Sequence, residues 1–259
     1  RISEGCNELL HRDVGRPFRV VLMGRTMAGK STLFEFLTGG AGASVGEGGQ
    51  RTTRESRNGT IVDRDIEIVD TPGVGAMDGD EDYAQAFSQV ADADLILWVA
   101  TNEATQEQTG RALQQLADYG KPILVALNCL RDVRDELNLL DLMEAPEIVF
   151  GGDTLGNLKP IERHLARAGG RYISAEPIHA QAALLSVSDG LGSDESGDLR
   201  RASRIERLLF EVAAQKDRTA DLRRAASIGD FVRGVLLDAA STTALAADHA
   251  RAMLAASRG

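Results

Sequence analysis

Cysteine is nearly missing from this chain. Cys6 and Cys129 are the only two in 259 residues, far apart and in unlike contexts. They build neither a disulfide framework nor a zinc-ligand spacing, and such usage suits a reducing cytoplasm. Histidine is as sparse: His11, His164, His179 and His249 stand singly, without ligand spacing, and read as structural residues. No run approaches the ~20 apolar residues that a bilayer span requires, and no signal peptide is visible. The chain starts at Arg1 and ends without a helix cap, so an excised or continuing protein is expected. Positive charge is also short. Lys plus Arg total 29 against 39 Asp plus Glu, a net charge of −10. Phosphate-rich polymers need clustered cations, so an extensive nucleic-acid surface is not expected, although a local basic patch stays open. Hydrophobic content is an ordinary 43%. The length allows one nucleotide-binding domain plus a modest helical addition.

The informative residues are concentrated early. Gly24-Arg25-Thr26-Met27-Ala28-Gly29-Lys30-Ser31 fits the phosphate-cradling pattern G-x-x-x-x-G-K-[ST]. The apolar run Phe18, Val20, Val21, Leu22 reads as a buried strand before it, and Ser31 to Leu37 has helical spacing after it. Glycines let backbone N–H groups close around phosphate oxygens, and the new helix turns its positive end toward them. In that context Lys30 reaches the outer phosphates, Ser31 offers a hydroxyl to magnesium, and Thr32 completes the cradle.

A second motif lies some forty residues on. Asp63 to Val69 alternates as a strand and ends in Asp70-Thr71-Pro72-Gly73. A carboxylate there can hold magnesium through water, and Gly73 offers a backbone N–H to a terminal phosphate. Between the motifs, Gly40 to Asn58 is rich in Gly, Ser, Thr and Arg. Its adjacent Thr52 and Thr53 are candidates for a metal-ligating hydroxyl in an order–disorder switch, with Thr53 preferred.

Together, the loop at 24–31, Thr52-Thr53-Arg54 and the Asp70 turn resemble the translation-factor-related P-loop GTPases, and most resemble the Era and tRNA-modification (TrmE/MnmE-like) branch, over roughly residues 18 to 185. The resemblance implies GTP and GDP as ligands and Mg2+ as cofactor through Ser31, Thr53 and Asp70. It implies slow hydrolysis to GDP and phosphate, with Lys30, Thr53 and Gly73 in catalytic roles. The family reads its base with N-K-x-D. Here Asn128 matches, Cys129 stands at the lysine, and Asp132 comes one residue late. Either Asp132 reads guanine from a longer loop with Arg131 as cover, or selectivity is weakened and an ATP-using protein stays open. Ser174-Ala175 resemble the family's backbone contact to guanine. Val74 stands where many GTPases orient water with Gln, and Met27 where some relatives hold potassium with Asn. A thioether is a poor ligand for a hard cation. Hydrolysis is therefore expected to need a partner protein or dimerisation, with Arg25, Arg51 and Arg54 as candidate charge stabilisers.

The expected fold is α/β, a mostly parallel doubly wound sheet flanked by helices and followed by an α-helical region. A lead-in (1–17) holds a short helix from Asn7 to His11. The G domain (18–188) has strands near 18–23, 58–63, 65–70, 94–100, 122–127 and 171–174. Its helices lie near 30–38, 80–91, 106–119, 131–142, 157–168 and 176–186. An acidic Gly/Ser linker (189–198) precedes a truncated C-terminal region (199–259) of two helices without proline. Leu222, Ala225, Ile228, Val232, Val235 and Ala239 form an amphipathic stripe there. It reads either as packing onto a neighbouring helix or the core, or as a lever or dimerisation arm. A homodimer through the G domain or the C-terminal helices stays open as one route to activation, beside a protein partner. The output is a nucleotide-controlled switch; the alternatives are a non-hydrolysing scaffold or a dynamin-like GTPase at a membrane surface.

Overall fold

The computed structural model describes residues 16–40, 56–61, 64–74, 79–101, 107–156, 158–167, 171–188 and 190–256. Thr52, Thr53, Arg51 and Arg54, and the helix expected from Asn7 to His11, lie outside them. The chain divides into two compact units. One is Pro17–Gln215; the other contains Arg16 and the chain from Lys216 onward.

Among the described residues, six strands form one sheet in the order β2-β3-β1-β4-β5-β6. They are β1 (Phe18–Gly24), β2 (Arg57–Ile61), β3 (Ile66–Asp70), β4 (Leu95–Thr101), β5 (Pro122–Asn128) and β6 (Arg171–Ile178). Among these described strands, β2 runs antiparallel to its neighbour and the others pair in parallel. Leu95 to Ala100 are all buried, because helices cover this central strand on both faces. One face packs Leu22, Leu97 and Leu124 against Leu33 and Phe34 of α1 (Lys30–Leu37). The other packs Met23, Trp98 and Val125 against Phe87 of α2 (Gly79–Ser88) and Leu113 of α3 (Glu107–Asp118). Chain connections leave β1 toward β3 on one side and return to β4 on the other. The order therefore reverses at the carboxyl end of β1, and a crevice opens there.

Three sequence expectations are corrected. β6 extends to Ile178, beyond the expected 171–174, so the helix expected from 176 is the shorter α8 (Ala180–Leu185) after α4 (Glu136–Glu144), α5 (Pro146–Phe150), α6 (Asp153–Gly156) and α7 (Leu158–Arg167). The expected linker 189–198 supplies the first turns of α9 (Ser193–Ala202). Its acids Asp194 and Glu195 sit in the first turn and Arg200 and Arg201 in the last, matching the helix dipole. Glu195 also accepts from the Gly192 N–H at 3.3 Å. The final region is one 52-residue helix after α9, α10 (Ile205–Ala256), rather than two helices within 199–259.

The unit boundary falls inside α10. Ile205, Leu208, Leu209 and Val212 are buried in the core of the first unit. In the stripe, Leu222 is 61% exposed and Val232 48%. Truncation should separate the two parts. Leu208→Ala is expected to cost about 2–5 kcal/mol through its cavity, whereas Leu222→Ala should stay within about 0.5 kcal/mol. Urea unfolding of the full chain measures both.

Candidate functional site

The loop between β1 and α1 turns where ordinary side chains do not fit. Gly24 has φ 148° and Gly29 φ 90°. A Cβ at Gly24 would overlap the Val99 carbonyl, and one at Gly29 the Asn128 amide. Gly73 is tied the same way, since a Cβ there would strike the Thr26 backbone. Met27 also takes positive φ, 64°, and its side chain is 76% exposed. Val74 N–H donates to the Gly24 carbonyl at 3.1 Å, binding the Asp70 turn to the loop. Its side chain is buried in the apolar core, so no polar group at that position orients water.

Lys30 is buried, and its Nζ donates to the carbonyls of Gly24 at 3.2 Å and Arg25 at 3.0 Å. Burial lowers its ammonium to about 8, and the Asp70 carboxylate offsets part of that. Asp70 is fully buried. Its Oδ2 accepts from Ser31 Oγ at 3.0 Å and from Arg57 Nη2 at 2.8 Å. Its Oδ1 is buried without a hydrogen-bond partner among the described residues. Hard oxygens of Ser31 and Asp70 with an unsatisfied lone pair fit magnesium. Among the described residues, no group of three acidic, His or Cys side chains could hold a metal. Sites that borrow phosphate oxygens need no such cage.

Asn128, at the end of β5, joins three segments. Its Nδ2 donates to the Ala28 carbonyl at 3.0 Å, and its Oδ1 accepts from the Ala180 N–H at 2.9 Å. An open cleft of about 360 Å3 adjoins it, lined among others by Met27, Gly29, Thr32, Asp132 and Gln181. Asp132 Oδ1 accepts from the Arg134 N–H at 3.1 Å and from Gln181 Nε2 at 2.8 Å, and these donors lower its pKa. Arg131 lines the cleft while paired with Asp141 at 3.0 Å. The Cys129 thiol faces inward, donating to the Val149 carbonyl at 3.6 Å, and burial pushes its pKa up to about 11. It makes no substitute for a lysine over a base.

Ser174 and Ala175 are not at this end of the sheet. Ala175 pairs with Val125 in mid-strand, and a bulge between Tyr172 and Ala175 moves the rest of β6 by one position along β5. Ile178 pairs with Asn128, so His179 and Ala180 form the turn beside the cleft. By sequence alone His179 reads as merely structural. The usable signal is Ile178-His179-Ala180, a second apolar–polar–Ala triplet directly before a helix. His179 Nδ1 accepts from the Ala182 N–H at 3.3 Å and caps α8.

A phosphate loop, a buried Asp at the neighbouring strand end and an Asn tying the loop to the last turn, on this sheet order, are features of a P-loop GTPase fold. Residues 19–129 match the family described as 50S ribosome-binding GTPase. GTPase Der of Psychrobacter arcticus is 34% identical over 155 residues, covering 54% of this chain and 32% of Der. Translation initiation factor IF-2 of Leuconostoc mesenteroides is 33% identical over 150 residues, covering 55% of this chain and 17% of the factor. The chain thus spans a third or less of the length of these two relatives. Among solved structures, Era of Aquifex aeolicus bound to GDP.AlF4- superposes with a TM-score of 0.50 at 18% identity, over 76% of this chain and 56% of Era. LeoA, a bacterial dynamin GTPase from ETEC, gives 0.53 at 15% identity, over 92% of this chain and 45% of LeoA. Both likenesses concern the fold.

His179 generates a pH prediction. It is 1% exposed, and burial lowers its pKa from 6.5 to about 4. Between those values the unfolded chain binds a proton that the folded protein does not. Stability therefore drops as pH falls through this window, by at most about 1.4 kcal/mol per pH unit. His179→Asn, which keeps a capping acceptor, is expected to flatten that part of the decline in urea unfolding at pH 4 to 7.

Proposed function

We propose that this chain binds magnesium–GTP, hydrolyses it slowly to GDP and phosphate, and acts as a nucleotide-controlled switch. The observation that carries the reading is the Lys30 loop, tied to Asn128 on one side and to the Asp70 turn on the other. Its carbonyl-bound ammonium is positioned to transfer to phosphate oxygens, and α1 starts directly behind them. Ser31 and Asp70 would hold magnesium, with Thr53 as the further ligand expected from sequence. The ion supplies charge neutralisation and orientation for the phosphates when bound. Gly73 offers its N–H at the terminal phosphate. Asp132 and Asn128 form the base end, with His179 and Ala180 in the place expected of Ser174 and Ala175.

The moving part is the long helix α10 or a dimer contact made through the stripe of Leu222 and Val232. A protein activator is the other route to faster hydrolysis. Among the described residues, no helix is long and apolar enough to cross a membrane; cytoplasmic residence is the proposed location. One observation favours a second reading, a GTP-gated scaffold without useful turnover: Val74 is buried where a water-orienting side chain would stand.

GTP turnover of the full chain, measured across protein concentration with and without potassium, separates these readings. A rate below about one per second that rises with concentration is expected for a switch activated by dimerisation. Intact binding without turnover favours the scaffold. Lys30→Ala should abolish nucleotide binding while leaving circular dichroism unchanged. In competition binding, Asp132→Ala should lose the preference for guanine over adenine nucleotides; an unchanged preference removes Asp132 from the base site.

A further inference from the structure

Arg57 belongs to no motif in the sequence, yet it sits on the carboxylate that the proposed metal site depends on. It is the first residue of β2 and pairs across the antiparallel ladder with Asp70. Such directly opposed residues project to one face. Its Nη2 donates to Asp70 Oδ2 at 2.8 Å, the same oxygen that accepts from Ser31. Its Nη1 donates to Glu35 Oε1 at 2.9 Å, and the guanidinium carbon lies 4.8 Å from the centroid of the Phe34 ring. The cation is thus held by two carboxylates and an aromatic face. One carboxylate is fully buried at the site, and the other belongs to α1 outside every motif.

A guanidinium does not lose its proton in proteins. A divalent ion approaching Asp70 therefore meets a fixed like charge hydrogen-bonded to a fully buried carboxylate, and the two cations repel at that short range, although the Arg57 side chain is itself 36% exposed. The conflict is relieved by movement, and the second carboxylate provides for it. Arg57 can keep Glu35 and the Phe34 ring and give up Asp70 alone. We infer that Arg57 is a gating cation for the metal site: it competes with divalent metal for Asp70, and Glu35 receives it when metal enters. Metal loading is then coupled to the leading residue of β2, the strand that comes after Thr52 and Thr53 in the chain. This rests on the magnesium–GTP reading and adds a residue that sets metal affinity.

The test uses the full chain loaded with GDP and titrated with Mn2+, bound metal being read from loss of the free-ion EPR signal. GDP affinity is measured alongside in EDTA. Arg57→Gln should tighten the Mn2+ midpoint by about tenfold or more. Glu35→Gln, which leaves Asp70 as the one carboxylate partner of Arg57 in this cluster, should weaken it. A purely structural ion pair would change unfolding midpoints without producing these opposite shifts. Arg57→Lys covers the case in which Arg57→Gln fails to fold; a lysine cannot bridge both carboxylates, and its midpoint should fall on the tighter side of wild type. GDP binding with equal Mn2+ midpoints in all foldable variants overturns this inference alone. Absence of GDP binding by the wild-type chain overturns the GTP reading and this inference with it.

Discussion

A single carboxamide holds the site together. Asn128 satisfies the Ala28 carbonyl with its N–H and the Ala180 N–H with its oxygen. Those two backbone groups belong to the phosphate loop and to the turn after β6, separated by most of the domain's sequence. Both contacts are buried, where an unpaired polar group costs about 1–3 kcal/mol. No other side-chain type offers a donor and an acceptor at that spacing on so short a stem, except by lengthening it to Gln. Gly29 belongs to the same constraint: its missing Cβ is what lets the amide come so close. The relative positions of the loop, the cleft and α8 depend on this packing.

The second constraint is electrostatic. Lys30, Asp70 and Arg57 place charge at the carboxyl end of β1 and β3, in surroundings that exclude water from Asp70 altogether. Buried charges persist when paired and hydrogen-bonded. Here the lysine is held by two loop carbonyls, while the arginine and Ser31 share one carboxylate oxygen. Such an arrangement gathers ionic groups at one end of the sheet, at the expense of unsatisfied polar atoms such as Asp70 Oδ1. The dipole of α1 points the same way.

The motifs that rest on local chemistry were legible in the sequence. Gly24 to Ser31 carries its own instructions, because glycines, lysine and helix start are fixed by neighbours along the chain. The β-strands of the core were legible for the same reason: a run such as Leu95 to Ala100 has no surface to expose. The turn after β6 was not, because Ser174-Ala175 and His179-Ala180 offer similar short patterns, and a one-residue bulge against β5 chooses between them. The acidic stretch 189–198 suggests a linker by composition, but acids at a helix N-terminus are favoured by the dipole, and α9 uses them so.

The sequence by itself determined that a nucleotide-phosphate loop, a strand-end Asp and a mostly parallel sheet would be present, since each depends on contacts among residues a few positions apart. Only the tertiary structure decided which residues meet across it: Ala180 on Asn128, Gln181 on Asp132, Arg57 on Asp70 and Cys129 turned into the core. Those choices depend on strand register and on which groups become buried together. Neither quantity is written in any local stretch of the chain, because both are set by the packing of segments far apart in it.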